Sequence, residues 1–283
     1  MTMQETYQQL FIQLKKLYDD REAANIANMI FEQVTGMGKV DRLLQKSTSL
    51  STIQQTKLKG FITELLKHKP VQYVLGEAWF AGMPFLVDEH VLIPRPETEE
   101  LVQLVASSIM QRTTSIINIL DIGTGSGCIP IAIKKLLPNA AITSIDVSEK
   151  ALKIAQQNAI NLHANINFQL LDFLEESNWN SLPIFDIIVS NPPYIKQSTS
   201  AAMAEHVLQY EPHVALFVPD NDALLFYKKI AAFSKNNLAK NGKIMVEINE
   251  ALGAETIALF NDYGLNAQLK KDMQGKDRFV VTQ

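Results

Sequence analysis

The sequence predicts an α/β protein with a mostly parallel sheet covered by helices on both faces and a small helical bundle in front of it. Three observations lead there. From Ser115 onward, short strand-prone apolar runs alternate with longer helical patterns, the arrangement of parallel strands joined by crossover helices. Residues 1–70 carry helical periodicity alone. Residues 71–95 turn aromatic and β-branched around Gly76, Gly82 and Pro84.

Taken in order, Leu10, Leu14 and Leu17 fall at i, i+4 and i+7, and Ile26, Ile30 and Phe31 continue a stripe until Gly36 and Gly38 interrupt it. Ser51-Thr52-Ile53-Gln54 has the layout of a capping box and opens a helix with Leu58, Phe61, Ile62 and Leu65 on one face. A helical domain is therefore expected over 1–72, with what its outer surface touches left open by the periodicity. Tyr73, Trp79, Phe80, Phe85, Val87, Val91 and Ile93 predict a β-hairpin linker over 73–95. Pro94-Arg95-Pro96-Glu97-Thr98-Glu99 punctuates the chain, and a helix with an acidic first turn is expected from about Glu97. The third region, 96–283, holds the sheet. Strands are expected at 116–120, 141–145, 166–170, 184–189, 243–248, 265–270 and 277–282, with helices near 128–137, 148–161 and 252–261.

Composition narrows the function classes. Apolar residues make up 47% of the chain, yet no run approaches the roughly 18 needed to span a bilayer. Met1 to Lys16 lacks the basic-then-apolar layout of a secretion signal, and the single cysteine, Cys128, fits a reducing compartment. A cytoplasmic protein without a membrane partner is expected. The five histidines, His68, His90, His163, His206 and His213, lack metal-ligand spacing, so no metal is expected. Net charge is −4 with no basic stripe, which weighs against a stable nucleic-acid partner. A monomer is expected.

Chemistry concentrates at four strand ends. The first strand runs into Asp121-Ile122-Gly123-Thr124-Gly125-Ser126-Gly127-Cys128 and then a helix. Such a turn exposes backbone N–H groups to a ligand. The dinucleotide fingerprint fails because its third glycine falls on Cys128, and a pyrophosphate-binding lysine is missing. Asp121 accepts from a cationic or amino group there, so the turn suits a zwitterion. Asp146, at the tip of the next strand, suits the two hydroxyls of a ribose, or alternatively caps the following helix. Asp172 and Phe173, after the third strand, offer an acid and a ring for an adenine.

The fourth tip is Asn191-Pro192-Pro193-Tyr194. Two prolines end the strand in a stiff elbow. The Asn191 side-chain oxygen and the Pro192 carbonyl give two acceptors for a planar amide or amino group, with Tyr194 as an aromatic wall. The alternatives are a proline-rich turn capped by Asn191, and a Tyr194 packed beneath the following loop. Cys128, although at a helix start, reads as small and buried.

This order of motifs resembles the S-adenosylmethionine-dependent methyltransferases with a Rossmann-like seven-stranded sheet. Asn191-Pro192-Pro193-Tyr194 resembles the subset that methylates planar nitrogens. Gly76 with Phe80, then Ile93 to Glu99, Tyr210-Glu211-Pro212 with Ala215-Leu216, and Val246-Glu247-Ile248 resemble the bacterial peptide chain release factor glutamine methyltransferases. Phe173 stands where these often carry Trp, and Asn249 where they often carry Gly. The resemblance implies S-adenosylmethionine as methyl donor, with S-adenosylhomocysteine as product. It implies Gly123, Thr124, Gly125, Ser126, Gly127, Asp146, Asp172, Phe173 and Asn191 as cofactor-binding residues. Asn191, Pro192, Pro193 and Tyr194 would then hold the substrate glutamine, with Asn191, Pro192 and Tyr194 catalytic. Arg95, Glu97 and Thr98 would line the methionine end of the cofactor, while Glu211 and Glu247 read as structural. The implied partner is a release factor, with the helical domain over 1–72 as the part that docks it. The alternative substrate is the exocyclic amino group of a nucleic-acid base.

Overall fold

The computed structural model describes residues 1–109 and 116–282. Ser115, from which the alternation is read, and Gln283, the last residue of the expected third region, lie outside them. The chain divides into two compact units, Met1–Gly76 with Ala204–Tyr210, and Glu77–Met203 with Glu211–Gln283.

The first unit is helical: α1 Met3–Leu14, α2 Asp20–Thr35, α3 Lys39–Leu44, α4 Thr52–Leu65 and α5 Val71–Leu75. Local chemistry sets the ends. Ser51 and Gln54 make the expected capping box, Thr2 and Glu5 make a second, and Gly36 closes α2 at φ +69°. Leu10, Leu14, Ile26, Ile30, Phe31, Leu58 and Leu65 form its core, whereas Leu17 lies past the end of α1. The hairpin expected from residue 73 does not begin there. Pro70 enters and Gly76, at φ +73°, leaves a one-turn helix whose Val71, Val74 and Leu75 pack into this core. The segment Glu205–Tyr210 joins the same unit, its Tyr210 hydroxyl donating to the Lys67 carbonyl at 2.7 Å.

The second unit opens with the hairpin, β1 Glu77–Phe80 and β2 Met83–Leu86. Its two-residue turn places Ala81 and Gly82 at φ +49° and +73°, the left-handed pair that matches strand twist. The hairpin is more than a linker. Phe80 and Phe85 meet edge to face at 6.0 Å inside the core. The buried Asn158 side chain accepts from the Leu86 N–H at 2.7 Å and donates to the carbonyls of Leu86 and Ser126.

The remaining helices are α6 Pro96–Ile109, α7 Cys128–Leu136, α8 Glu149–Asn161, α9 Glu205–Tyr210 (already placed in the first unit), α10 Leu225–Asn237 and α11 Gly253–Asp262. The strands are β3 Asn118–Ile122, β4 Ala141–Asp146, β5 Asn167–Leu170, β6 Phe185–Ser190, β7 Ile195–Lys196, β8 Phe217–Val218, β9 Leu238–Glu247, β10 Ala267–Lys271 and β11 Asp277–Thr282. The seven expected strands form one sheet in the order β10-β11-β9-β6-β3-β4-β5. Strands β5, β4, β3, β6 and β9 are parallel, and β11 runs against both neighbours. Successive residues point to opposite faces. Ile119, Ile187, Val189 and Met245 pack on one side, while Leu120, Ile122, Ile188 and Val246 join α10 residues such as Tyr227 and Ile230 on the other. Helices α9 and α10 and the short β7–β8 pair are additions to the expected elements.

Sequence order reverses at β3, whose neighbours are β4 and β6. Ligands of open α/β sheets bind at the carboxyl ends of strands beside such a reversal. Here the Ser190 hydroxyl donates to the Ile122 carbonyl at 2.8 Å, fastening the tip that precedes Asn191 to the tip that precedes Gly123.

Candidate active site

The turn after β3 has a different use for each glycine. Gly123, Gly125 and Gly127 all adopt positive φ, at +78°, +53° and +81°. A Cβ on Gly123 or Gly125 meets nothing within 4 Å, because these two face an open cavity. One on Gly127 would sit 3.1 Å from Ala155 Cβ and from Ile131 Cδ1, so this glycine lets α7 and α8 approach.

The cavity measures about 270 Å³ and lies at the ends of β3, β4, β5 and β6. Of the residues singled out in the sequence, Gly123, Gly125, Asp146, Asp172, Phe173, Asn191 and Pro193 line it. Thr124, Ser126 and Gly127 are buried beneath the turn, and Pro192 and Tyr194 lie outside the lining.

Asp146 Oδ2 accepts from the Gly125 N–H at 2.9 Å and Oδ1 from the Ser148 N–H at 2.8 Å. Burial raises its pKa, against the pull of those N–H bonds. The helix cap falls to Ser148, which accepts from the Ala151 N–H at 3.2 Å, leaving Asp146 at the cavity wall. Asp172 Oδ1 accepts from the Leu174 N–H at 2.9 Å. The Phe173 ring is held between Trp179 and Phe233, at centroid distances of 5.5 and 5.4 Å, and Trp179 Nε1 donates to the Phe173 carbonyl.

Asp121, expected at the strand's end as an acceptor for a cationic or amino group, stands one residue before the end of β3. It lies inside β3, wholly buried, with Oδ2 accepting from the Ser144 hydroxyl at 2.5 Å. Burial pushes its pKa up to about 7, partly opposed by that bond. Its Oδ1, with Thr124 Oγ1 and Ser126 Oγ, is buried without a hydrogen-bond partner among the described residues. Unpaired polar atoms under an open glycine cradle fit the amino-acid end of S-adenosylmethionine, while Asp146, Asp172 and Phe173 fit its nucleoside. The Cys128 thiol is buried and pushed up to about 12, so it is no thiolate.

At the fourth tip the Asn191 Nδ2 donates to Thr98 Oγ1 at 3.1 Å, and the Thr98 hydroxyl donates to Glu247 Oε2 at 2.7 Å. Tyr194 is no wall of the cavity. Its ring packs against the core and its hydroxyl donates to Glu247 Oε1 at 3.3 Å, because a buried carboxylate needs donors on both oxygens. Burial and the Glu247 charge raise the Tyr194 pKa, so the phenol stays protonated. Arg95, expected beside a ligand, is instead paired with the buried Glu211, its Nη2 lying 2.6 and 2.8 Å from the two oxygens.

Sequence reasoning missed a further part of the lining: His90, Val91 and Leu92 after the hairpin, Val147, Val214 with Ala215, and Phe226. Of these, Val147 follows Asp146 and Ala215 belongs to a stretch that carries the family resemblance. Among the described residues no three His, Cys, Asp or Glu side chains gather as a metal site, and no helix is long and apolar enough to cross a membrane.

Comparison with known proteins places the chain in a family. Residues 113–282 match the family model described as a methyltransferase domain, and residues 5–76 match the PrmC N-terminal domain. A release factor glutamine methyltransferase of Flavobacterium psychrophilum is 44% identical over 277 residues, covering 97% of this chain and 96% of that protein. One of Bacteroides thetaiotaomicron is 39% identical, covering 95% of each. Among solved structures, a SAM-dependent methyltransferase of Agrobacterium tumefaciens shares the fold with a TM-score of 0.50 at 14% identity, covering 73% of this chain and 69% of that one. With likeness of this extent along both of its parts, the chain belongs to the release factor glutamine methyltransferase family.

Proposed function

We propose that the enzyme methylates the side-chain amide nitrogen, N5, of the glutamine in the Gly-Gly-Gln motif of peptide chain release factors, using S-adenosylmethionine. The observation that carries this is the state of Asn191. Its Nδ2 is committed to Thr98, which leaves Oδ1 as an acceptor at the cavity. An acceptor there matches the N–H of an amide.

When bound, S-adenosylmethionine supplies a methyl group on a positively charged sulfur. The protein's residues do the rest. Asp146 would accept from the ribose hydroxyls, Asp172 and Phe173 would hold the adenine, and Asp121 would accept from the ammonium group through its unpaired Oδ1. The Asn191 oxygen and the Pro192 carbonyl accept the two N–H bonds of the glutamine amide and fix its orientation. An amide nitrogen is a poor nucleophile because its lone pair is delocalised. Two preorganised acceptors favour the positive charge that develops on it during transfer. The proton leaves after the methyl group has arrived, so the site needs no strong base.

The helical unit, 1–76, is the part we assign to docking the release factor, in the cytoplasm where these factors act. The test is transfer of labelled methyl to a purified release factor, to its Gly-Gly-Ala form and to duplex DNA. Label that disappears with the glutamine supports the function. Label on DNA alone overturns the substrate.

A further inference from the structure

We infer that Thr98 and Glu247 are positioning residues that set which end of the Asn191 amide faces the substrate. The inference deepens the proposed function and rests on it for its kinetic test. Asparagine is ambiguous, since its planar amide turns either an acceptor or a donor towards the site. Only the acceptor suits a glutamine NH₂ group, so something must fix the choice.

A chain of hydrogen bonds with one possible direction does so. The Glu247 carboxylate is buried and, once ionised, only accepts. The hydroxyl of Thr98 has a single proton and donates it to Glu247 Oε2 at 2.7 Å. Thr98 Oγ1 is thereby left as an acceptor, and it takes the Asn191 Nδ2 proton at 3.1 Å. The other carboxylate oxygen is occupied by the Tyr194 hydroxyl, and the Glu247 backbone carbonyl by the Tyr227 hydroxyl at 3.0 Å, so the residue is pinned at both ends. Burial raises the pKa of Glu247, and the nearby Arg278 charge draws it back towards the ionised form. Arg278 is itself held by Asp272 at 3.2 Å.

The three members come from distant parts of the chain. Thr98 lies in the first turn of α6, Asn191 follows β6 and Glu247 ends β9. Neither of the two bonds that link them joins neighbours in sequence, so the network has no local structural purpose such as a helix cap. At the start of α6 it is thus Thr98 that acts on the substrate, through Asn191.

The first test needs no turnover. In ¹⁵N-labelled enzyme without ligand, the Asn191 side-chain protons, identified by their loss in Asn191→Ala, are expected to be protected from exchange. Thr98→Val should remove roughly tenfold or more of that protection, as expected for loss of one buried hydrogen bond, and Thr98→Ser should restore it. The second test is kinetic. On a Gly-Gly-Gln peptide, Thr98→Val should lower kcat roughly tenfold while affinity for S-adenosylhomocysteine holds, and Thr98→Ser should recover the rate. Wild-type protons that exchange as fast as those of an exposed asparagine overturn the inference, whatever the variants do. So does a Thr98→Val enzyme with full kcat, or a Thr98→Ser enzyme no better than Thr98→Val. A wild type that protects Asn191 yet leaves the peptide unmethylated overturns the substrate and supports the orientation.

Discussion

Replacing Asp121 by Asn should make the ligand-free enzyme more stable and a poorer binder of its cofactor. Burial raises the carboxyl from an ordinary value of 3.8 to about 7. The folded protein therefore holds this proton at pH values where the unfolded chain has lost it. Stability falls as pH rises from about 4 to about 7 and stays low above, the sign for any carboxyl whose pKa is raised on folding. A shift of about 3 units corresponds to about 4 kcal/mol at neutral pH and above. Asparagine is neutral throughout and keeps an acceptor for the Ser144 hydroxyl, but puts an amide N–H where Oδ1 has no partner. That unpaired donor costs about 1–3 kcal/mol, leaving a net gain of about 1–3 kcal/mol at pH 8. For a unit of this size the gain is a rise in Tm of roughly 3–10 °C. Scanning calorimetry on ligand-free wild type and Asp121→Asn at pH 8 and pH 5 reads it directly. The advantage should vanish at pH 5, and titration with S-adenosylhomocysteine should show weaker binding at both. An advantage of equal size at the two pH values, or none at pH 8, would refute the assignment of the buried charge.

Two glycines of the turn should fail differently. Gly127→Ala combines a positive φ with contacts at 3.1 Å and should destabilise the protein by about 2 kcal/mol or more, seen as a lowered Tm. Gly125→Ala has room for its Cβ but places it at the cavity, so calorimetric titration should show weakened cofactor affinity with a smaller loss of stability. On the helical unit, α3 exposes Val40, Leu43 and Leu44. If this unit docks the release factor, Leu43→Asp with Leu44→Asp should lower kcat/KM on the whole factor and leave that on a short Gly-Gly-Gln peptide unchanged.

What was legible in the sequence follows from where the physics is local. The sheet strands are near-continuous apolar runs ending in turn residues, so all seven are visible, as is the capping box at Ser51. Helix α10 escapes because its N-cap, Leu224, makes no side-chain cap. The stretch 71–75 looks strand-prone, yet proline on one side and glycine on the other make it helical. At the site, Gly123, Gly125, Asp146, Asp172, Phe173 and Asn191 come together because each ends a parallel strand, a rule that needs only sequence order. The partners of Asn191 and Arg95 do not follow from such a rule. Thr98 to Asn191 and Arg95 to Glu211 are separated by 93 and 116 residues, and nothing local predicts a hydrogen bond at that distance. The hydrogen bond of Tyr194 is hidden for the same reason, since the buried Glu247 that accepts from its hydroxyl lies 53 residues away.

The claim at the centre is that Asn191 presents an acceptor to a glutamine amide. Its most direct test is tandem mass spectrometry of a Gly-Gly-Gln peptide after incubation with wild type or Asn191→Ala, both saturated with S-adenosylmethionine. The wild type is expected to add one methyl group on the glutamine side-chain nitrogen. Asn191→Ala is expected to add none while still binding S-adenosylhomocysteine. A variant that methylates glutamine at the wild-type rate would contradict the claim.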